Sequence, residues 1–169
     1  MDFKHVPVLY EECLEGLAIK PDGIYVDGTL GGAGHAFGIG SRLSEKGILI
    51  GIDRDKEAIK AAEKRLESLS CTKFLVQNTY DQIEDVLAQL QIDGIDGALL
   101  DIGVSSYQLD NGERGFSYMH DAPLDMRMNQ DDSFSAYDVV NGYDKKKLTE
   151  IIRKYGEERW ASRISDFIV

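Results

Sequence analysis

Three aspartates, Asp27, Asp53 and Asp101, each close a short apolar run, and a glycine-rich stretch follows the first of them: Asp27-Gly28-Thr29-Leu30-Gly31-Gly32-Ala33-Gly34-His35. Glycines at such a place let the backbone approach a ligand closely and bring helix N-terminal N–H groups within its reach. An acid closing the next strand can accept hydrogen bonds from both hydroxyls of a ribose, and Asp53 stands 19 residues after Gly34. Each feature has a plainer alternative. The loop can be a tight structural turn, and Asp53 can cap a helix that begins near Asp55. Tyr80, in Asn78-Thr79-Tyr80-Asp81, can flank an adenine ring or simply pack.

The letters exclude two nucleotide-binding signatures. GxGxxG fails because Phe37 stands where the third glycine belongs after Gly32 and Gly34, and the phosphate-binding GxxxxGK[ST] loop fails because the chain has no Gly-Lys pair. A glycine loop with a ribose acid and without a dinucleotide fingerprint is the usual layout for S-adenosylmethionine. A second polar cluster, His120, Asp121 and Asp125-Met126-Arg127, has residue types that bind metals, but the expectation is no metal and a loop fixed by Asp–Arg pairing.

The elements that must hold these residues follow from periodicity. Gly23–Gly28, Ile48–Asp53, Phe74–Val76 and Ile95–Leu100 are apolar throughout, which predicts buried strands covered on both faces. Between them lie a helix-compatible segment from His35 to about Leu43, a 3.6-residue stripe of Ile59, Ala62, Leu66 and Leu69, and a third helix marked by Ile83, Val86, Leu87 and Leu90. Regular β-α-β-α spacing predicts an α/β fold with a doubly wound, mostly parallel sheet and right-handed crossovers. Ligands of such sheets bind at the carboxyl ends of the strands, where the three aspartates are expected. After Asp101 the rhythm stops. Residues 103–133 are polar with no strand among them, and helices are expected near Ser135–Asn141, from Asp144 and from Glu157. Two regions result: 1–104 as the cofactor-binding core, and 105–169 as a loop and the start of a helical insertion. The last helix reaches Ile168-Val169 without a stop signal, and a four-strand sheet leaves an apolar edge, so the chain reads as the N-terminal part of a longer protein.

Composition narrows the classes. The 169 residues carry 19 Lys+Arg and 30 Asp+Glu, a net charge of −11, which argues against a simple polyanion binder. The charge is uneven: residues 1–142 hold −13, residues 143–169 hold +2. The bland account is an unremarkable distribution of surface charge; the alternative is an acidic part that binds something small and a basic surface later in the chain. Cys13 and Cys71 form no CxxC, so neither a disulfide framework nor a zinc site is indicated and a reducing cytoplasm fits. No run of about 18 apolar residues exists, so no membrane partner is expected, and the first five residues lack the layout of a secretory signal.

Ordered blocks make the reading specific. His5-Val6-Pro7-Val8-Leu9, the Asp27–His35 loop, Gly51-Ile-Asp-Arg-Asp55, Asp101-Ile-Gly-Val-Ser-Ser106, Gln108-Leu-Asp110, Arg114-Gly-Phe-Ser117, His120–Met128 and Tyr155-Gly-Glu-Glu-Arg159 occur in this order. With them the sequence resembles the ribosomal RNA small subunit methyltransferase H (MraW) family along essentially all its length. The resemblance implies a Rossmann-like methyltransferase fold with a helical insertion after the fourth strand. It implies transfer of a methyl group from S-adenosylmethionine to the exocyclic N4 amine of a cytosine in the decoding region of 16S rRNA, with the small ribosomal subunit as partner. The oligomeric state stays open, a homodimer included. By position, Gly31, Ala33, Gly34 and His35 are expected at the cofactor, toward its methionine end; Asp53 at the ribose; Tyr80 by the adenine; and Asp101 and Gln108 completing the pocket.

The chemistry implied is demanding, because a cytosine N4 amine is a weak nucleophile whose lone pair is delocalised into the ring. Transfer needs in-line placement, an acceptor for the amine hydrogens, and an unpaired or flipped base. Amino-methyltransferases commonly carry [Asn/Asp]-Pro-Pro-[Tyr/Phe] after the fourth strand; here Asp101 is kept and the prolines are not. Asp101 is therefore a candidate acceptor, with Ser105 and Ser106 assisting; the alternative is an Asp101 that serves the cofactor alone. His5 is expected to anchor the N-terminal segment. Lys145, Lys146, Lys147, Arg153, Lys154, Arg159 and Arg163 either meet rRNA phosphates or form a solvated face. Two departures stand out: Ala33 replaces a frequent glycine, acceptable if its φ is negative, and Tyr107 replaces a frequent proline. Methylation of another substrate and a non-catalytic cofactor-binding role are the rival readings, and the 169 residues alone are expected to turn over little or no substrate.

Overall fold

The computed structural model describes residues 7–169. It divides into two compact units, the first ending at Tyr107 and the second running from Gln108 to Val169. His5 and Val6, and with them the expected His5 anchor, lie outside the described residues.

The first unit holds strands β1 (Ile24–Asp27), β2 (Ile48–Asp53), β3 (Thr72–Gln77) and β4 (Gly97–Leu99), and helices α1 (Tyr10–Gly16), α2 (Gly34–Gly40), α3 (Lys56–Leu66) and α4 (Ile83–Gln89). All strand pairs are parallel, in the order β3-β2-β1-β4. The chain builds outward from β1 to β3 and then returns to the other side of β1, so the strand order reverses at β1. That reversal opens a crevice at the carboxyl ends of β1 and β4. The apolar runs bury both faces, as expected of strands that do not alternate with polar residues. Tyr25 and Leu49 point into one cluster with Leu14, Ile39, Ala62 and Leu66, while Val26, Ile50 and Ile52 point into the other with Val86.

The helix spacing explains what covers each face. In α3 the buried Ala62 and Leu66 share one stripe with Ile59, Asp55 caps the first turn by accepting from the Glu57 amide (3.0 Å), and Lys64 and Arg65 lie in the last turn, where cations suit the helix dipole. Two details differ from the sequence reading. The fourth strand is only Gly97–Leu99, and β3 is partly exposed along its length because it is an edge of this sheet. Helix α1 was not foreseen: its seven residues bury only Leu14 and are too few to show a period.

The second unit contains α5 (Ser106–Asp110, which begins in the first unit), α6 (Ala136–Gly142), α7 (Lys145–Gly156) and α8 (Ala161–Ile168), and no strand among its residues. A capping box between Ser135 and Asp138 starts α6, and Asp144 starts α7 by accepting from the Lys147 amide (2.8 Å). The final helix begins at Ala161 rather than Glu157, because Glu157 takes a left-handed conformation (φ 52°) that ends α7. Between α5 and α6, buried Arg114 donates through Nη2 to the carbonyls of Arg127 and Met128 (both 2.9 Å). No helix among the described residues is long and apolar enough to cross a membrane.

Candidate functional site

Register fixes the height of each strand-end acid. Asp27 lies level with Gly51 on β2 and Leu99 on β4. Asp53 stands two residues further along β2, about 7 Å higher at the usual strand rise, and Asp101 lies two residues past the end of β4. Asp27 thus sits below and between the other two, on the face of the sheet that α2 covers.

The glycine loop closes over these acids, and its shape depends on small residues and left-handed backbone. Gly31 (φ 46°) and Ala33 (φ 54°) are both in the left-handed region. The expectation that Ala33 keeps a negative φ is therefore corrected: it occupies the glycine-like conformation, at a cost of about 1 kcal/mol for a residue with a Cβ. What holds it there is burial: its side chain is fully enclosed. Leu30, seated in the core against Gly51, anchors the middle of the loop, since a Cβ at Gly51 would strike the Leu30 side chain. Gly28 is equally constrained, for a Cβ there would run into Leu100 and approach Tyr80 Cβ to 3.2 Å. Tyr80 opens a short 3₁₀ turn after β3 and is partly exposed beside the loop.

The acids have separate tasks around this loop. Asp53 Oδ2 accepts from the Gly31 amide (2.9 Å) and Oδ1 from the Asp55 amide (2.9 Å). It is a tie between β2 and the loop, whereas the helix cap is Asp55. Burial holds the Asp53 carboxyl above its ordinary range, with the Asp55 and Gly31 amides pulling the other way. Asp101 is exposed, and its amide donates to Thr29 Oγ1 (2.6 Å), which joins the segment after β4 to the same loop. Ser105 Cβ lies 3.7 Å from where a Gly31 Cβ would be. Ser106 starts α5. Gln108 is buried and belongs to the second unit.

Asp27 is the residue that sequence reasoning saw as a strand-end acid and did not assign to the site. It is 1% exposed; Oδ1 accepts from the Thr29 amide (3.1 Å), and Oδ2 has no hydrogen-bond partner among the described residues. Burial pushes its carboxyl up to about 7, against the pull of the Thr29 and Ala36 amides, and the carboxylates of Asp53 and Asp101 push the same way as burial. The available signal was its place as the third acid of a set.

A second buried atom lacks a partner among the described residues: Nδ1 of His35, on the first turn of α2. Burial lowers the His35 pKa, while the Asp101 carboxylate and a backbone hydrogen bond to Val8 raise it. Its ring stacks on Tyr10 of α1 (centroids 5.8 Å apart), and Pro7 packs so closely on Gly34 that a Cβ there would collide with the proline ring. The N-terminal segment is thus part of the loop's surroundings. On the outer side, Arg65 Nη1 donates to the Gly32 carbonyl (2.5 Å).

The site is therefore a backbone-lined crevice with three carboxylates, two unsatisfied buried polar atoms and a neighbouring aromatic. It suits a ligand that carries ribose hydroxyls, an aromatic base and positive charge. The polar cluster of the second unit is organised differently. Asp125 grips Arg127 in a bidentate pair (Oδ2–Nη2 2.6 Å, Oδ1–Nε 3.0 Å), which holds the Asp125 carboxyl below its ordinary range; Arg127 Nη1 also donates to the Gln130 and Asp132 carbonyls (3.1 and 2.6 Å). The Asp–Arg pairing foreseen from the sequence is present, and among the described residues no group of three His, Cys, Asp or Glu is placed to hold a metal ion.

Residues 2–169 match the MraW methylase family. The chain is 54% identical over all 169 residues to the ribosomal RNA small subunit methyltransferase H of Clostridioides difficile strain 630, and 54% identical over the same span to that of Clostridium botulinum strain Loch Maree / Type A3. In both cases it covers 100% of this chain and 54% of the relative, so the chain spans about half the length of the curated relatives it matches.

Proposed function

The chain belongs to the MraW methylase family, and from that premise we propose that it carries the cofactor-binding part of an enzyme that methylates the exocyclic N4 amine of a cytosine in 16S rRNA, with S-adenosylmethionine as methyl donor. The observation that carries this reading is the Asp27–His35 loop folded over the strand ends and tied to Asp53 through Gly31. The cofactor supplies an electrophilic methyl group on a sulfonium.

The residues fit that group. Asp53 spends one lone pair of each oxygen on backbone amides and keeps the others to receive the ribose hydroxyls. Tyr80, half exposed beside Gly28, offers its ring to the adenine. Gly31, Ala33, Gly34 and His35 form the wall toward the methionine end, where the unsatisfied Nδ1 of His35 provides a polar contact. Asp101, exposed at the mouth with its backbone fixed by Thr29, is the acceptor for the amine hydrogens, assisted by Ser105 and Ser106; it draws electron density onto nitrogen and takes the proton that the amine must lose.

Exposed aromatics of the second unit, among them Tyr118, Tyr155 and Trp160, together with Lys146, Arg153 and Arg159, support a nucleic-acid partner, since unstacked bases are recognised by aromatic faces and phosphates by cations. The small ribosomal subunit in the cytoplasm is the proposed setting. The test is methyl transfer from labelled S-adenosylmethionine by the full-length protein to small-subunit particles, free cytidine and bulk protein in parallel. Label on rRNA cytosine N4 alone is the expected result, and label on protein or no label on rRNA rejects the reading. Asp101→Asn separates proton acceptance from cofactor binding: turnover falls at saturating cofactor if Asp101 is the acceptor, and is undiminished if it is not.

A further inference from the structure

Asp27 has no task in the reading above, yet it is among the most buried polar side chains of the first unit. Its neighbourhood is one-sided. From β2 it faces Asp53, from the segment after β4 it faces Asp101, and from the loop the Thr29 amide. From α2 the titratable group is His35, whose pKa is lowered by burial, and α3 contributes Arg65, whose guanidinium is turned to the Gly32 carbonyl. Among the described residues Asp27 makes no ion pair, and one of its oxygens has no hydrogen-bond partner. A buried carboxyl below two carboxylates and without a counter-ion keeps its proton, because an isolated buried charge is costly and two like charges nearby add to the cost. A cation in the crevice inverts that balance, since Coulomb attraction is strong where water is excluded.

We propose that Asp27, buried close to Asp53 and Asp101 and with an oxygen that makes no hydrogen bond among the described residues, exchanges its proton for the positive charge of a sulfonium ligand, so that the site selects the charged methyl donor over its neutral thioether product. This rests on the reading of the crevice as an S-adenosylmethionine site. The proton passes to solvent when the cation binds. Asp27 regains it once the sulfur is neutral, and the crevice then holds the product less firmly. No covalent bond is made or broken at Asp27.

The experiment is a titration of the full chain with S-adenosylmethionine and with S-adenosylhomocysteine between pH 5.5 and 8.5, by calorimetry in two buffers of different ionisation enthalpy. The two ligands share ammonium, carboxylate and nucleoside and differ in the charge at sulfur, so the difference between them isolates that charge. With the Asp27 carboxyl near 7, linkage predicts that S-adenosylmethionine releases about one proton per site at pH 6 and almost none above pH 8. Its affinity should rise about tenfold per pH unit up to about 7 and then level, a slope that S-adenosylhomocysteine lacks. In Asp27→Asn, which keeps the Thr29 contact and retains His35, that difference in slope should vanish. Equal pH slopes for the two ligands in the unaltered protein overturn the proposal and need no variant, as does a slope difference that survives Asp27→Asn. Binding of both ligands with equal slopes leaves the cofactor reading intact and removes this one alone; binding of neither removes both.

Discussion

The two units of this chain solve the same problem with opposite materials. Up to Tyr107 the backbone is secured by a parallel ladder between two apolar layers, and two of the polar residues that remain inside, Asp27 and His35, each keep an atom without a hydrogen bond among the described residues. From Gln108 the segment between α5 and α6 has no ladder, and its loops are braced by guanidinium groups bonded to backbone carbonyls, Arg114 to Arg127 and Met128, and Arg127 to Gln130 and Asp132. In the first unit these atoms lie at the candidate crevice. In the second, the ionic bonds take the place of a core, so their loss should cost structure rather than binding.

The largest effect should come from cutting that brace. Arg114→Ala removes two hydrogen bonds from a charged, buried donor, and about 3–5 kcal/mol of local stability is expected to go with them. Hydrogen exchange should then show residues 112–132 opening while β1 and β2 keep their protection; equal loss in both units would break the contrast. Next is Asp27. Its folded pKa of about 7 lies above the ordinary 3.8, so the stability of the folded proton is fully present below pH 4 and is lost as pH rises through 7. Asp27→Asn lacks that loss and should gain on the unaltered protein from pH 4 upward, levelling above 7 at a difference on the order of a few kcal/mol. Denaturant melts at several pH values read it, and the subtraction cancels the opposite slope of His35, whose lowered pKa removes stability as pH falls.

A smaller effect should follow from Gly34→Ala. The new Cβ would displace Pro7 from the loop, and S-adenosylmethionine affinity is expected to fall about tenfold, roughly 1.4 kcal/mol, while thermal stability changes little. Unchanged affinity in equilibrium dialysis would show that the N-terminal segment does not shape the site. The smallest is Ala33→Gly: relief of the φ 54° strain, about 1 kcal/mol, is offset in part by the lost methyl packing and the freer unfolded chain, so the melting midpoint should move by no more than a few degrees.

This contrast also marks what could be read from the letters. Strands such as Ile48–Asp53 were legible because burial on both faces leaves an unbroken apolar run, and α3 because Ile59, Ala62 and Leu66 keep a helical period. The strand-end position of Asp53 followed from those runs, whereas Asp101 lies two residues past the shorter β4. The backbone of Ala33 was not legible, since nothing in an alanine announces a positive φ, and the tertiary enclosure that enforces it is assembled from distant residues. The N-terminal wall was missed for the same reason: Pro7 and Tyr10 meet Gly34 and His35 only after β1 has brought the loop back. Arg114 reads in sequence like any surface cation, because its burial depends on carbonyls 13 and 14 residues later in the chain.

The seat of Pro7 on Gly34 has a practical side. Whatever is attached upstream of Pro7, whether a purification tag, a fluorescent reporter or a surface linker, joins the chain next to a residue that packs on the glycine loop. A handle meant to leave the crevice alone needs a different attachment point.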